Sequence, residues 1–276
     1  MNVVRGKVAL ITGGGGGIGL QYAKELLRNG LRGVTLADIS RTNGENAVKE
    51  IKNEFGNEKV IFVKTDVADK SQYEEAFKAT VEEFKNIDIV VNNAGVMNDA
   101  IWERQISTNL VGTIYGCILA IENYLPKYKS GSEGIVVNVS STSGLEKFQA
   151  FPIYSATKRA VIGLTRAWGK DVHYDRTKVR FLALCPGVTD TPLLRECLER
   201  NLAPAYQDIM KGNLPHLTIQ PAEFVAKGLL YILNHGKNGS VWVTEHSEPT
   251  YEIVIPSRRQ LRKKEPFLLS EMMMEA

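Results

Sequence analysis

The shortages in this sequence are informative. Cysteine is scarce: Cys117, Cys185 and Cys197 make three, an odd set with no Cys-x-x-Cys pair and no histidine at metal-ligand spacing. That excludes a disulfide scaffold and a zinc motif. The three read as reduced structural thiols in a cytoplasmic protein, and no metal is expected. Neither sign of charge is in excess: Lys+Arg 34 against Asp+Glu 31 leave a net charge of +3, too even for a domain-wide nucleic-acid surface. No apolar run approaches the ~20 residues of a membrane span, and Met1-Asn2-Val3-Val4-Arg5-Gly6-Lys7 lacks the charged-then-apolar order of a signal peptide. No membrane insertion is implied. Disorder and fibrous repeats are excluded too, because 43% hydrophobic and 24% charged residues over 276 positions suit one large globular domain with a sizeable core.

What is present is an alternation of strand and helix patterns. Lys7-Val8-Ala9-Leu10-Ile11 is a short apolar run ending at Thr12, followed by Gly13 to Gly17, Ile18-Gly19, and a helical pattern through Tyr22, Leu26 and Leu27. That order places helix N-terminal amides beside the turn, where a diphosphate could bind. The glycines would serve the tight turn, the close approach of a ligand, and contact between helix and strand; alone, they equally describe a flexible loop. A second strand pattern, Val34-Thr35-Leu36-Ala37, ends in Asp38. A carboxylate there, about 20 residues beyond the glycines, accepts hydrogen bonds from an adenosine ribose and repels a 2′-phosphate. NAD is therefore favoured over NADP. Arg41, three residues on, is the one nearby cation that could reach such a phosphate.

Helical spacing continues over Asn43 to Phe55 and over Ser71 to Phe84, with Tyr73, Phe77, Val81 and Phe84 on one face. Between and after them, Val60-Ile61-Phe62-Val63 reads as a strand ending near Asp66-Val67, and Ile87-Asp88-Ile89-Val90-Val91 as a strand closed by Asn92-Asn93-Ala94-Gly95. Near-continuous apolar strands separated by helices predict a parallel sheet covered on both faces. The expected fold is a single doubly wound α/β domain of the Rossmann type, with about seven parallel strands, over residues 1–250; residues 251–276 read as a tail. Ligands of such sheets bind at the strands' carboxyl ends, where the glycine turn, Asp38, Asp66 and Asn93 all fall.

Ile101 to Tyr124 reads as one long helix with Asn109 in its middle, a residue that in such a place faces solvent or satisfies a local backbone group. Gly134 to Val139 is the next strand, ending in Ser140-Ser141, and Tyr154-Ser155-Ala156-Thr157-Lys158 opens a helix running through Trp168. Residues four apart share a helix face, so the Lys158 ammonium would lie near the Tyr154 phenol and pull its pKa down from ~10. Tyr154 could then act as a general base. A lone Tyr-x-x-x-Lys is more often a surface pair. A sixth strand, Val179 to Leu184, is followed by Cys185-Pro186-Gly187-Val188-Thr189-Asp190-Thr191.

Thr12 through Gly19, Asp66-Val67, Asn92-Asn93-Ala94-Gly95, Asn109, Ser141, Tyr154 with Lys158, and Pro186-Gly187 occur in the order and approximate spacing of the short-chain dehydrogenase/reductase family. The resemblance spans about residues 5 to 245. Within the family the chain is most similar to the branch of insect alcohol dehydrogenases and NAD-dependent 15-hydroxyprostaglandin dehydrogenases, on Asp38, the Asn-Val-Ser-Ser strand end and Val241-Trp242-Val243. The resemblance implies that Tyr154 takes the proton of a substrate hydroxyl while hydride passes to the nicotinamide. Lys158 would lower the tyrosine pKa and hold the nicotinamide ribose, Ser141 would bond the substrate oxygen, and Asn109 would hold a relaying water. It implies NAD contacts from Gly13, Gly17, Ile18, Gly19, Asp38, Asp66, Val67, Asn93, Ala94, Gly95, Pro186, Gly187, Val188 and Thr191, with Thr189 as an alternative to Thr191. Family members commonly assemble as homodimers or homotetramers through the long helices at Ile101 to Tyr124 and Tyr154 to Trp168.

Residues 189–217 sit where the family places a substrate lid, with Leu194, Leu198, Leu202, Tyr206, Ile209 and Met210 at helical spacing. Apolar residues there suggest an apolar alcohol or ketone; any amphipathic helix would show the same pattern. Prostaglandin dehydrogenases carry a glutamine three residues before the tyrosine, and this chain has Phe151, with Gln149 nearby. The basic run Ser257 to Lys264 reads as a solvated tail or an arm across a subunit boundary, and Met272-Met273-Met274-Glu275-Ala276 matches no targeting signal. The expected activity is NAD-dependent oxidation of a secondary or medium-chain alcohol. Two alternatives stand beside it: a carbonyl reductase or dehydrogenase for a steroid, terpenoid or prostaglandin-like lipid, and a nucleotide-binding or storage protein that has lost turnover.

Overall fold

The computed structural model describes residues 2–262, so Lys263, Lys264 and the Met272 to Ala276 stretch lie outside the described residues. One sheet organises the chain, in the order β3-β2-β1-β4-β5-β6-β7-β8. Its strands are β1 Val8–Thr12, β2 Gly33–Asp38, β3 Val60–Lys64, β4 Ile89–Asn92, β5 Gly134–Val139, β6 Val179–Pro186, β7 Val241–Thr244 and β8 Tyr251–Ile253. The first seven are parallel, with Ile11 opposite both Leu36 and Val91. After β3 the chain returns to place β4 on the other side of β1. That switch point leaves a crevice between the carboxyl ends of β1 and β4.

Successive strand residues face opposite sides of the sheet. In β1, Ala9 and Ile11 join a core with Tyr22 and Leu26 of helix α1 (Gly17–Arg28), Ile51 of α2 (Arg41–Phe55) and Leu229 of α11 (Ala222–His235). Leu10 points into a second core with Tyr73 and Phe77 of α3 (Lys70–Phe84), Leu119 and Ile121. Burial on both faces is why these strands read as unbroken apolar runs.

Two expectations change. The sheet has an eighth strand: Tyr251–Ile253 pairs antiparallel with β7, setting Tyr251 opposite Val243, so the first residues assigned to the tail complete the sheet edge. Two of its three residues are exposed, and three residues are too few to announce a strand. The long helix is interrupted: α4 (Trp102–Ile106), α5 (Gly112–Ile118) and α6 (Leu125–Tyr128) are joined by π-helical turns at Ser107–Val111 and Leu119–Tyr124. The first of these wider turns carries Asn109, and such turns are frequent at functional sites.

Candidate active site

A cleft of about 690 Å³ opens at the carboxyl ends of the strands. Its floor is the turn between β1 and α1. Gly13 and Gly17 sit at φ +64° and +51°, a left-handed backbone that only glycine adopts without strain. A Cβ on Gly13 would lie 2.9 Å from Asn93 Nδ2, and that amide donates to the Thr12 carbonyl at 2.9 Å. Thr12 Oγ1 in turn accepts from the Asn93 and Ala94 amides, each at 3.0 Å. The β1 and β4 ends are thereby stitched together. Helix α1 starts at Gly17 with no side-chain cap, which leaves its first-turn N–H groups without intrahelical acceptors at the cleft wall formed by Gly16, Gly17 and Ile18. Such amides, with the helix dipole, suit a diphosphate. Asp38 closes this end: its carboxylate accepts from the Gly15 and Ser40 amides, each at 2.9 Å, and lines the cleft. Arg41 extends away, 67% exposed at its side chain and paired with Glu45.

Tyr154, Lys158 and Ser141 converge at the other end of the cleft. Tyr154 and Lys158 are buried, at 7% and 5% exposure, on one face of α7 (Pro152–Trp168). Lys158 Nζ donates to the Val139 carbonyl at 3.0 Å and sits 5.6 Å from the Tyr154 ring centre. The loop bearing Ser141 is pinned to the same helix, since Ser140 Oγ donates to the Lys158 carbonyl at 2.8 Å. Gly144 allows that approach; a Cβ there would meet the Lys158 carbonyl carbon at 2.8 Å. Ser141 Oγ accepts from the Ser143 amide at 3.1 Å.

Burial perturbs both titrating groups. It pushes the Tyr154 phenol up to about 12; the Ser141 hydrogen bond acts downwards and the Cys185 sulfur upwards. It lowers the Lys158 ammonium to about 8, with Cys185 acting upwards. The expectation that Lys158 pulls the tyrosine pKa down is therefore not met in the protein alone. Desolvation of the phenolate is the largest influence on it, and the ammonium is itself desolvated and bonded to the Val139 carbonyl.

Gly13, Gly17, Ile18, Asp38, Asn93, Ala94, Gly95, Ser141, Tyr154, Lys158, Pro186, Gly187, Val188 and Thr191 all line this cleft. Four expected residues stand behind it. Gly19 is the contact between helix and strand, since a Cβ would fall 2.1 Å from the Gly13 carbonyl oxygen. Asp66 is paired with Arg104 at 2.8 Å and also accepts from the Ala68 amide. Val67 is buried against Gly112. Asn109 does not face solvent: it is 1% exposed, and its amide accepts from and donates to the Val96 backbone, both at 2.8 Å.

Sequence reasoning missed Met97 and Phe148. With Leu193, Leu194, Met210 and Leu217 of the expected lid they form the apolar side of the cleft, and Leu193, Leu194 and Leu217 pack on a small core containing Met97, Phe151, Tyr154 and Met210. The lid is not one helix but short pieces, α9 (Pro192–Arg195) and α10 (Pro204–Asn213) with 3₁₀ turns between and after. Leu202 and Ile209, expected on its apolar stripe, are exposed at 42% and 38%. Among the described residues no group of three or more His, Cys, Asp or Glu side chains could hold a metal ion, and no helix is long and apolar enough to cross a membrane.

The family model described as short chain dehydrogenase matches residues 7–201. The chain belongs to that family. It is 35% identical to the mouse protein named 15-hydroxyprostaglandin dehydrogenase [NAD(+)] over 242 residues, covering 86% of this chain and 89% of that one. It is 30% identical to alcohol dehydrogenase 1 of Ceratitis cosyra over 263 residues, 90% of this chain and 99% of that one. Both kinds of relative anticipated from the sequence are thus present. Among solved structures, levodione reductase superposes with a TM-score of 0.74 at 26% identity, over 87% of this chain and 96% of that one. A short chain dehydrogenase/reductase from Burkholderia phymatum, solved in complex with NAD, gives 0.75 at 24% identity, over 89% of this chain and 90% of that one, and shares the fold.

Proposed function

We propose that this short-chain dehydrogenase uses NAD to interconvert an alcohol, secondary or medium-chain and largely apolar, with its carbonyl compound. The observation that carries the reading is one cleft holding a glycine turn and Asp38 at one end and buried Tyr154, Lys158 and Ser141 against an apolar wall at the other. The residues fit the cofactor: uncapped α1 amides suit its diphosphate, Asp38 its adenosine ribose, Lys158 its nicotinamide ribose, and Pro186 to Thr191 its carboxamide end. Gly19 supports that cradle from behind, against the Gly13 carbonyl. Bound NAD would supply the hydride acceptor.

The chain's own residues handle the proton and the geometry. Tyr154 Oη, once deprotonated, takes the hydroxyl proton of the alcohol; in the reverse direction the neutral phenol, the form that burial favours, gives its proton to the carbonyl oxygen. Ser141 Oγ holds the substrate oxygen while its charge changes. Asn109 fixes Val96, at the cleft edge, in place. The wall of Met97, Phe148, Leu193, Leu194, Met210 and Leu217 receives the carbon skeleton and excludes water. Assembly as a homodimer or homotetramer through the 101–124 and 154–168 helices belongs to the same proposal, and the exposed Ile101 and Trp102 favour such a contact.

A prostaglandin-like or steroid lipid is the second reading, favoured by the relatives at 35% identity. Against it, Phe151 is fully buried and stacked on Phe148 at 5.7 Å, so that position offers the substrate's hydroxyl no partner. The experiment is formation of NADH from NAD+, or of NADPH from NADP+, with primary, secondary, terpenoid, steroid and prostaglandin alcohols, beside Tyr154→Phe. The expected result is turnover with NAD+ that falls at least ~100-fold in the variant. Silence with every alcohol, while NADH still binds, would instead favour the nucleotide-binding alternative.

A further inference from the structure

Helix α7 carries Tyr154 but has no cap of its own. Phe151 stands at its N-cap without a side-chain hydrogen bond, and Pro152 opens the helix. The first-turn amides are nonetheless satisfied, from a distance in sequence. Asp99, fully buried, accepts from the Ile153 amide at 2.9 Å through Oδ2 and from the Tyr154 amide at 3.0 Å through Oδ1. Gln105 Nε2 donates to the same Oδ1 at 2.8 Å, and Gln105 Oε1 accepts from the Asn98 amide at 2.6 Å, which fixes the carboxylate's orientation. No described cation pairs with it. The positive end of α7 and three N–H donors are what hold the charge in a dry site.

The same residue reaches the lid. The Asp99 amide donates to the Arg200 carbonyl at 2.9 Å, and the neighbouring Asn201 Nδ2 donates to the Ala150 carbonyl at 3.3 Å. Asn98 Oδ1 and Asn201 Oδ1 are buried beside this junction with no protein partner, so the joint between lid and core is polar. A local Ser, Thr or Asp at position 151 would cap α7 equally well. It would not connect the helix to the lid.

We infer that Asp99 is a positioning residue: it fixes the first turn of α7, and with it the Tyr154 phenol, and it ties that turn to Arg200 of the lid. Substrate contact with the lid is thereby coupled to the placement of the acid–base group. The inference rests on the reading of Tyr154 given above. Small displacements of a reacting group cost large factors in rate, about 100-fold for ~1 Å, so a shift in the α7 cap is read directly in kcat.

The test uses full-length Asp99→Asn and Asp99→Ala, with NAD+ and the best alcohol of the panel. Active sites are counted by NADH titration, and hydrogen exchange is followed by mass spectrometry. Asparagine keeps the shape but offers one acceptor oxygen to two helix amides. Expected are a kcat per NADH-binding site lowered about tenfold in Asp99→Asn and about 100-fold in Asp99→Ala, a raised KM for the alcohol, and an unchanged KM for NAD+. Exchange should quicken at residues 152–156 and 196–202 and stay unchanged in α1. A merely structural cap would lower the number of binding sites and leave kcat per site intact; that result overturns the proposal. So does unchanged exchange at 152–156 or at 196–202. Should Asp99→Ala not fold, Asp99→Asn decides alone. Should wild-type protein oxidise none of the alcohols, the acid–base reading fails, and the exchange data still judge Asp99.

Discussion

Replacing Lys158 by methionine should make the protein inactive and, near neutral pH, more stable. The folded ammonium titrates near 8 where an unhindered lysine titrates at 10.5. A depressed folded pKa means that between those values the unfolded chain binds more protons, so this group's contribution to stability rises with pH over that window. Below it the full penalty applies: 2.5 units at 1.36 kcal/mol each is on the order of 3 kcal/mol against the folded state. By pH 10 roughly 1 kcal/mol of the penalty remains. Methionine is of similar length and carries no charge, so the variant escapes the penalty but leaves the Val139 carbonyl, now bonded by Nζ at 3.0 Å, without its donor. That loss costs about 1–3 kcal/mol and does not vary with pH. The decisive quantity is therefore the change with pH of the stability difference between the two proteins, measured by urea unfolding of the cofactor-free forms from pH 7 to 10. Wild type should gain about 2 kcal/mol on the variant over that range. Tyr154, raised to about 12 by burial, loses stability as pH climbs above 10, but it does so in both proteins and cancels. A difference that stays flat from pH 7 to 10 would refute the picture of a lysine held charged against its desolvation.

Asp38→Ala removes the acceptor at the end of β2 together with its bonds to the Gly15 and Ser40 amides. The preference for NAD+ over NADP+, expressed as a ratio of kcat/KM values, should fall at least about tenfold. The glycine turn offers a matched pair. A Cβ at Gly19 would land 2.1 Å from the Gly13 carbonyl oxygen, whereas at Gly16 it would meet nothing within 4 Å, with the backbone extended at φ 179°. Gly19→Ala should lose about 2–4 kcal/mol in denaturant unfolding and weaken NADH binding, and Gly16→Ala should change stability by less than about 1 kcal/mol.

The parts of this molecule that could be read from its sequence are those whose signal is local. β1 and β4 are buried throughout, and apolar up to their last residues Thr12 and Asn92, because helices cover both of their faces, and the turn after β1 needs glycine because of its own φ values. Asp38 and Tyr154 were legible for the same reason: a strand end and a helix register fix where they stand. β8 was not, since a three-residue edge strand with two exposed residues is too short for its alternation to register. Nor was the π turn at Asn109, whose side chain bonds the Val96 backbone, a partner outside the helix that carries it.

The direction of the Tyr154 pKa shift depends on an environment assembled from several distant segments, and a rule about neighbours on one helix face sees only one of them. Lys158 is a real neighbour, yet burial of both groups reverses the sign expected from their spacing. Asp99 is the extreme case. In sequence it is one more carboxylate after a strand, and only the fold sets it against amides 54 and 55 positions away. Most of the residues that line the cleft could be found from the sequence, Met97 and Phe148 excepted; a residue bonded to the backbone of another element could not. On the proposed reading of Tyr154, a residue such as Asp99 decides where the phenol stands, so sequence reading recovers the side chains of this site more fully than their placement.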